Sequence, residues 1–182
     1  MPIASSDILL KLSITSGAAG NAAAQPDPNA SLGKYISTTQ LSGTALNNLF
    51  DDVSGAESAA GDIEYRCVFV HNNHGSLAYQ SAVVYLSAET AGGSSIALAT
   101  DNIAASAIGS ASAQAALIAN EDTAPSGVSA FSTPTTAAAG LSLGTINFGQ
   151  TKAFWVRRTT SAATAAANND GGTLAVAGDT AA

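Results

Sequence analysis

Few side chains in this sequence carry reactive groups at spacings that let them act together. His71 and His74 form an H-x-x-H pair, a spacing that on a helix aims two imidazoles at one metal ion. Here the pair spans the end of an apolar run and the turn cluster Asn72-Asn73-His74-Gly75-Ser76. A closed zinc site needs four ligands and no third or fourth is in view, so the pair reads as turn and surface histidines. Cys67, the single cysteine, has a histidine nearby and invites a thiol-nucleophile reading. Its neighbours Val68 and Phe69 are apolar, however, and a cysteine in such a run behaves as a small buried hydrophobe. Asp51-Asp52 with Glu57, and the pair Glu121-Asp122, offer carboxylates for calcium or for acid–base work, but the residue order of a calcium-binding EF-hand loop is absent. They read as solvated loop charges. No nucleophile elbow, phosphate loop or dinucleotide fingerprint occurs, and Gly92-Gly93 and Gly171-Gly172 fall where turns explain them. No catalytic, cofactor-binding or metal-ligating residue is assigned, and the chain is expected not to be an enzyme.

The elements that would position these residues are mostly strands. Tyr65 to His71 is rich in β-branched and aromatic residues, with Tyr65, Cys67 and Phe69 on one face and Val68 and Val70 on the other, which predicts a central strand. Ala82 to Ser87 alternates Val83 and Tyr85 against Val84 and Leu86 and is expected to be its antiparallel partner or near neighbour. Further strands are expected at Ile96 to Leu98, Val128 to Phe131, Leu141 to Ile146, Lys152 to Arg158 and Thr173 to Ala177. Turn signals every 10–15 residues match a sandwich rather than βαβ units. Tyr65, Phe69, Leu86, Phe154, Trp155 and Val156 are the expected core anchors. Leu46, Leu49 and Phe50 share one face of a helical turn, predicting a short helix or turn there. The alanine- and serine-rich tract from Ala104 to Ala119 reads as loop or short helix. Residues 1–50 are expected to form an arm, with a short strand at Ile8 to Ile14 and a stretch from Gly17 to Asn29 running over a surface; residues 51–182 are expected to form the sandwich domain.

Composition narrows the function classes. With 182 residues the chain has room for one ordinary domain. Charged residues are 10% of the total, far below the usual ~25%, so Ser, Thr, Asn and Gly or neighbouring subunits must cover the surface. The net charge is −7, and Arg157-Arg158 is the only basic doublet. Consecutive strand residues point to opposite faces, so the doublet makes no patch, and nucleic-acid binding is not expected. One arginine should face solvent and the other sit in a local ion pair. Ile8-Leu9-Leu10 is too short for a membrane span or a signal core, so no membrane association is expected.

The run from Asn47 to Asp51 through Glu64 to Asn72 resembles a family of small virion proteins of tailed bacteriophages. The resemblance continues in Ala82-Val83-Val84-Tyr85-Leu86, in Leu143 to Gln150 leading to Phe154-Trp155-Val156-Arg157-Arg158, and in Asn168-Asn169-Asp170-Gly171, covering roughly the last three quarters of the chain. It implies an all-β, antiparallel, immunoglobulin-like β-sandwich with an extended N-terminal arm, and no catalytic residues or cofactors. It also implies a capsid decoration or cement protein of the virion, made in the host cytoplasm, whose partner is the major capsid protein. A homo-oligomer is expected, since closed symmetric assemblies are the common solution. The alternative is a tail, collar or baseplate module, or a glycan-binding one; the latter needs exposed loop aromatics, for which Tyr35 and Tyr79 are the candidates.

Overall fold

The computed structural model describes residues 2–16, 23–91, 93–165 and 170–180. Parts of the expected surface stretch after Gly17, of the Gly92-Gly93 break and of the loop before Asp170 lie outside them. Nine strands are described: β1 (Ile8–Ile14), β2 (Tyr35–Gln40), β3 (Asp62–Asn72), β4 (Tyr79–Glu89), β5 (Ser95–Thr100), β6 (Ser106–Ala107), β7 (Leu141–Ile146), β8 (Gln150–Thr160) and β9 (Gly172–Thr180). All pair antiparallel. The larger sheet runs β2-β1-β3-β8-β5, with β6 also on β8; the smaller runs β7-β4-β9. The class is all-β and sandwich-like.

β3 and β8 carry apolar residues on both faces because both faces are covered. Their register is unbroken from Asp62↔Thr160 to His71↔Thr151. On one face Val68, Val70, Phe154 and Val156 meet Ala82, Val84, Leu86, Leu143 and Ile146 of the smaller sheet. On the other, Tyr65, Cys67, Phe69, Ala153 and Trp155 lie under Ala115 and Ile118, which arrive on the coil between β5 and β7. The chain therefore stacks smaller sheet, larger sheet and coil. All six expected anchors are buried. Trp155 lies on the coil side, not between the sheets.

Several expectations need correction. The leading segment is not an arm throughout: β1 sits inside the larger sheet between β2 and β3, because Leu10 and Leu12 face the smaller sheet while Lys11 and Ser13 are buried beneath the coil side. β4 is not the partner of β3. Residues 73–78 carry the chain from one sheet to the other, and β3 pairs instead with β1 and β8. Residues 44–50 take the turn of the expected helix or turn, leaving Leu46 78% exposed while Leu49 is buried. The helix comes later, as α1 (Gly55–Ala60), where Ser54 and Glu57 form a reciprocal capping box. Val128 to Phe131 is coil, lying beside β5 through hydrogen bonds between Ser129 and Thr100 and the flanking isolated bridges Asp101↔Val128 and Leu98↔Ser132. The tract from Ala104 to Ala119 takes the loop of the expected loop or short helix, apart from the two-residue β6.

Candidate functional site

The densest group of charges lies on the inter-sheet face of β3 and β8, past the end of the smaller sheet. Glu64 and Arg158 are cross-strand partners, and Arg66 lies two residues along β3 on the same face. Arg66 is fully buried, and Glu64 and Arg158 nearly so. The Glu64 carboxylate accepts from Arg66 Nη2 at 3.1 Å and from Arg158 Nε and Nη2. Arg66 also donates to Asn29 Oδ1 at 2.7 Å and to the Tyr65 carbonyl, and stands against Glu121. Arg158 reaches the Asp51 backbone carbonyl and its carboxylate. The Phe50 ring lies against both guanidinium carbons, at 5.1 and 4.9 Å. Burial raises the pKa of Glu64, the Arg158 and Arg66 charges pull it partly back, and Glu121 adds to the rise. Three loops, through Asn29, Asp51 and Glu121, are thus latched onto two central strands.

A second polar hub anchors the coil. Asp101, at the end of β5, is 2% exposed; its Oδ2 accepts from Trp155 Nε1 at 3.0 Å and from the Ala116 N–H at 2.8 Å, and its Oδ1 from the Ile103 N–H at 2.8 Å. Lys152 Nζ donates to the Asp101 and Ile103 carbonyls. Burial lowers the Lys152 pKa while Asp101 raises it. Gln114 spans Ile36, Ser106 and Ala107. Gly33 has φ +97°, and a Cβ there would lie 1.9 Å from the Ala116 carbonyl oxygen, so only glycine lets the segment before β2 meet the coil.

The residues singled out for chemistry are kept apart. His71 is not a surface histidine: it is 3% exposed, and burial, helped by Lys11, pushes its pKa down to about 4, so it is neutral at pH 7. His74 closes its turn, its Nδ1 accepting from the Ser76 and Leu77 N–H groups at 3.1 and 3.0 Å. Among the described residues no three His, Cys, Asp or Glu side chains converge as metal ligands. Cys67 is fully buried, and burial together with the Asp101 charge pushes its thiol pKa well up, the opposite of what a nucleophile needs. Of the arginine doublet, Arg158 is in the latch, while Arg157 lies over the Phe131 ring at 5.1 Å. Glu121 faces Arg66, whereas Glu57 caps α1. Tyr79 is in the core, and Lys34 lies over the half-buried Tyr35.

Beside the latch opens a cavity of about 870 Å³ between residues 41–58 and the ends of β4 and β9. Asp51, Asp52, Glu89 and Asp170 line it. Asp51 is held by Arg158, Glu89 accepts from the Ile96 N–H and Asp170 from the Ser94 N–H. Comparison with protein-family models, with curated proteins and with solved structures finds no match.

Proposed function

We propose that this chain is a non-enzymatic structural protein of a tailed-bacteriophage particle, a capsid decoration or cement protein that binds neighbouring major capsid proteins as a homo-oligomer. The observation that carries the structural part of this reading is the use made of the buried polar groups. Arg66, Arg158, Glu64, Asp101 and Lys152 are all spent on the protein's own side chains and backbone, fastening coil to sheet. Buried networks of this kind fix one arrangement of loops at a cost in desolvation. That suits a part whose loops must present a constant surface. The sparse surface charge suits a chain covered by neighbours. The placement in a phage particle rests on the resemblance of the Tyr65 to His71 and Phe154 to Arg158 strands, and with it we read the paired sheets as immunoglobulin-like.

The test is deletion of the gene from the phage that encodes it. Particles lacking the chain should release their DNA at a lower temperature than complete particles, and purified chain added back should restore the difference. Complete particles in which mass spectrometry finds none of this chain would remove the proposal.

A further inference from the structure

Among the described residues the smaller sheet ends on an unguarded strand. Three sheet edges are blunted: the segment at Ala23 and Gln25 bonds to β2, residues 129–132 bond to β5, and β7 is broken by Gly144 at φ +74° and by shifts in register. β9 differs. It is nine residues long, contains no Pro, Lys or Arg, and no described strand pairs with its outer edge. The direction of its backbone groups follows from its partner: the Leu86 N–H donates to the Pro134 carbonyl, away from β9. Leu86 pairs with Leu174 and Val84 with Val176. By the alternation of antiparallel pairs, Leu174 and Val176 aim their own N–H and C=O outward.

A trough runs along that edge. The cavity beside the latch and a second one of about 390 Å³ share Leu10 of β1, and both are walled by β9. Ile3, Ile8, Leu10, Leu41, Leu174 and Val176 border it, all only partly buried although they rest against the core. The larger sheet thus reaches beyond the smaller one, leaving the place of a fourth strand over β1. The charges lining the larger cavity are acidic, Asp51, Asp52, Glu89 and Asp170, against the single Arg158, which Glu64 and Asp51 already hold.

We infer that the outer edge of β9 accepts an extended segment of another protein, with alternate apolar side chains filling the trough and flanking Lys or Arg residues meeting the acidic rim. Main-chain bonds to an open edge supply affinity, and the pockets for alternate side chains supply selectivity. A second copy of this chain is the poorer occupant, because it brings a net charge of −7 and another acidic rim. The inference does not depend on the phage assignment.

The full chain, immobilised, is panned against a displayed library of random dodecapeptides, and amide exchange is measured on the complexes formed. Enriched peptides should alternate apolar and polar residues between basic flanks and slow exchange at Leu174 and Val176 at least ~10-fold. Val176→Pro, which removes an outward N–H, should weaken binding by about tenfold or more. Asp52→Lys lies on the exposed rim of the larger cavity and should weaken binding severalfold, with a smaller salt dependence, even if Val176→Pro does not fold. No enrichment over bare support, acidic flanks, protection away from β9, or self-association protecting β9 in place of peptide binding would each overturn the inference.

Discussion

Replacing Glu64 by Gln should be the most damaging single-atom change in the chain. The carboxylate accepts from two guanidinium groups, that of Arg66 at 3.1 Å and that of Arg158. At an effective dielectric near 20 each contact is worth roughly 5 kcal/mol of Coulomb energy before desolvation is subtracted. The substitution leaves Arg66, with no side-chain exposure, and Arg158, with 9%, with no carboxylates but those of Glu121 and Asp51, whose own side chains are 38% and 53% exposed and screened by water. Breaking a buried pair in this way costs about 3–5 kcal/mol. The remaining carboxylates place the expectation at the lower end, near 3 kcal/mol. Urea unfolding followed by tryptophan fluorescence measures it, and for a chain of this size the melting temperature should fall by roughly 6–12 °C. Glu121→Gln, at the exposed end of the network, should cost under ~1 kcal/mol. A loss below ~1 kcal/mol for Glu64→Gln, or equal losses for both, would refute the latch.

Three further outcomes follow from the core. Trp155→Ala should cost about 3–5 kcal/mol, and Trp155→Phe about 1–3 kcal/mol through the lost hydrogen bond to the buried Asp101 carboxylate, whose Oδ2 keeps the Ala116 N–H, both read by denaturant unfolding; unchanged midpoints would contradict the burial of that ring. His71 stays neutral in the folded chain down to about pH 4, while in the unfolded chain it takes its proton near pH 6.5. Its contribution is therefore lost as pH falls from about 6.5 to 4, by roughly 3 kcal/mol in all, and a His71→Leu variant should show a flatter stability profile over that window. Cys67 should resist thiol reagents in the native chain at pH 8 and react within minutes in urea; fast native labelling would count against its burial.

What the sequence made legible is what local pattern encodes. β3 and β8 announce themselves because burial on both faces requires apolar residues at successive positions, as in Val68-Phe69-Val70 and Phe154-Trp155-Val156. β1 was legible as a short strand at Ile8 to Ile14, but not its place inside the larger sheet, because Lys11 and Ser13 are buried polar residues within it and Ser13 is satisfied by Ser31, outside any local pattern. Alternation in β4 signals a strand but not which sheet it joins, so the crossover through residues 73–78 carried no local sign. α1 buries no residue and so has no apolar stripe, although the Ser54 and Glu57 capping pair was readable. The latch lay beyond reach for another reason: Glu64 and Arg158 are 94 residues apart and Asp51 and Arg158 are 107 apart, and no spacing rule joins them.

Immunogold labelling of intact phage particles with antibody to this chain tests the central claim most directly. The account predicts gold spread over the heads. Gold confined to the neck or tail would contradict the decoration role, and particles left bare while the antibody binds free chain would contradict a place on the particle surface altogether.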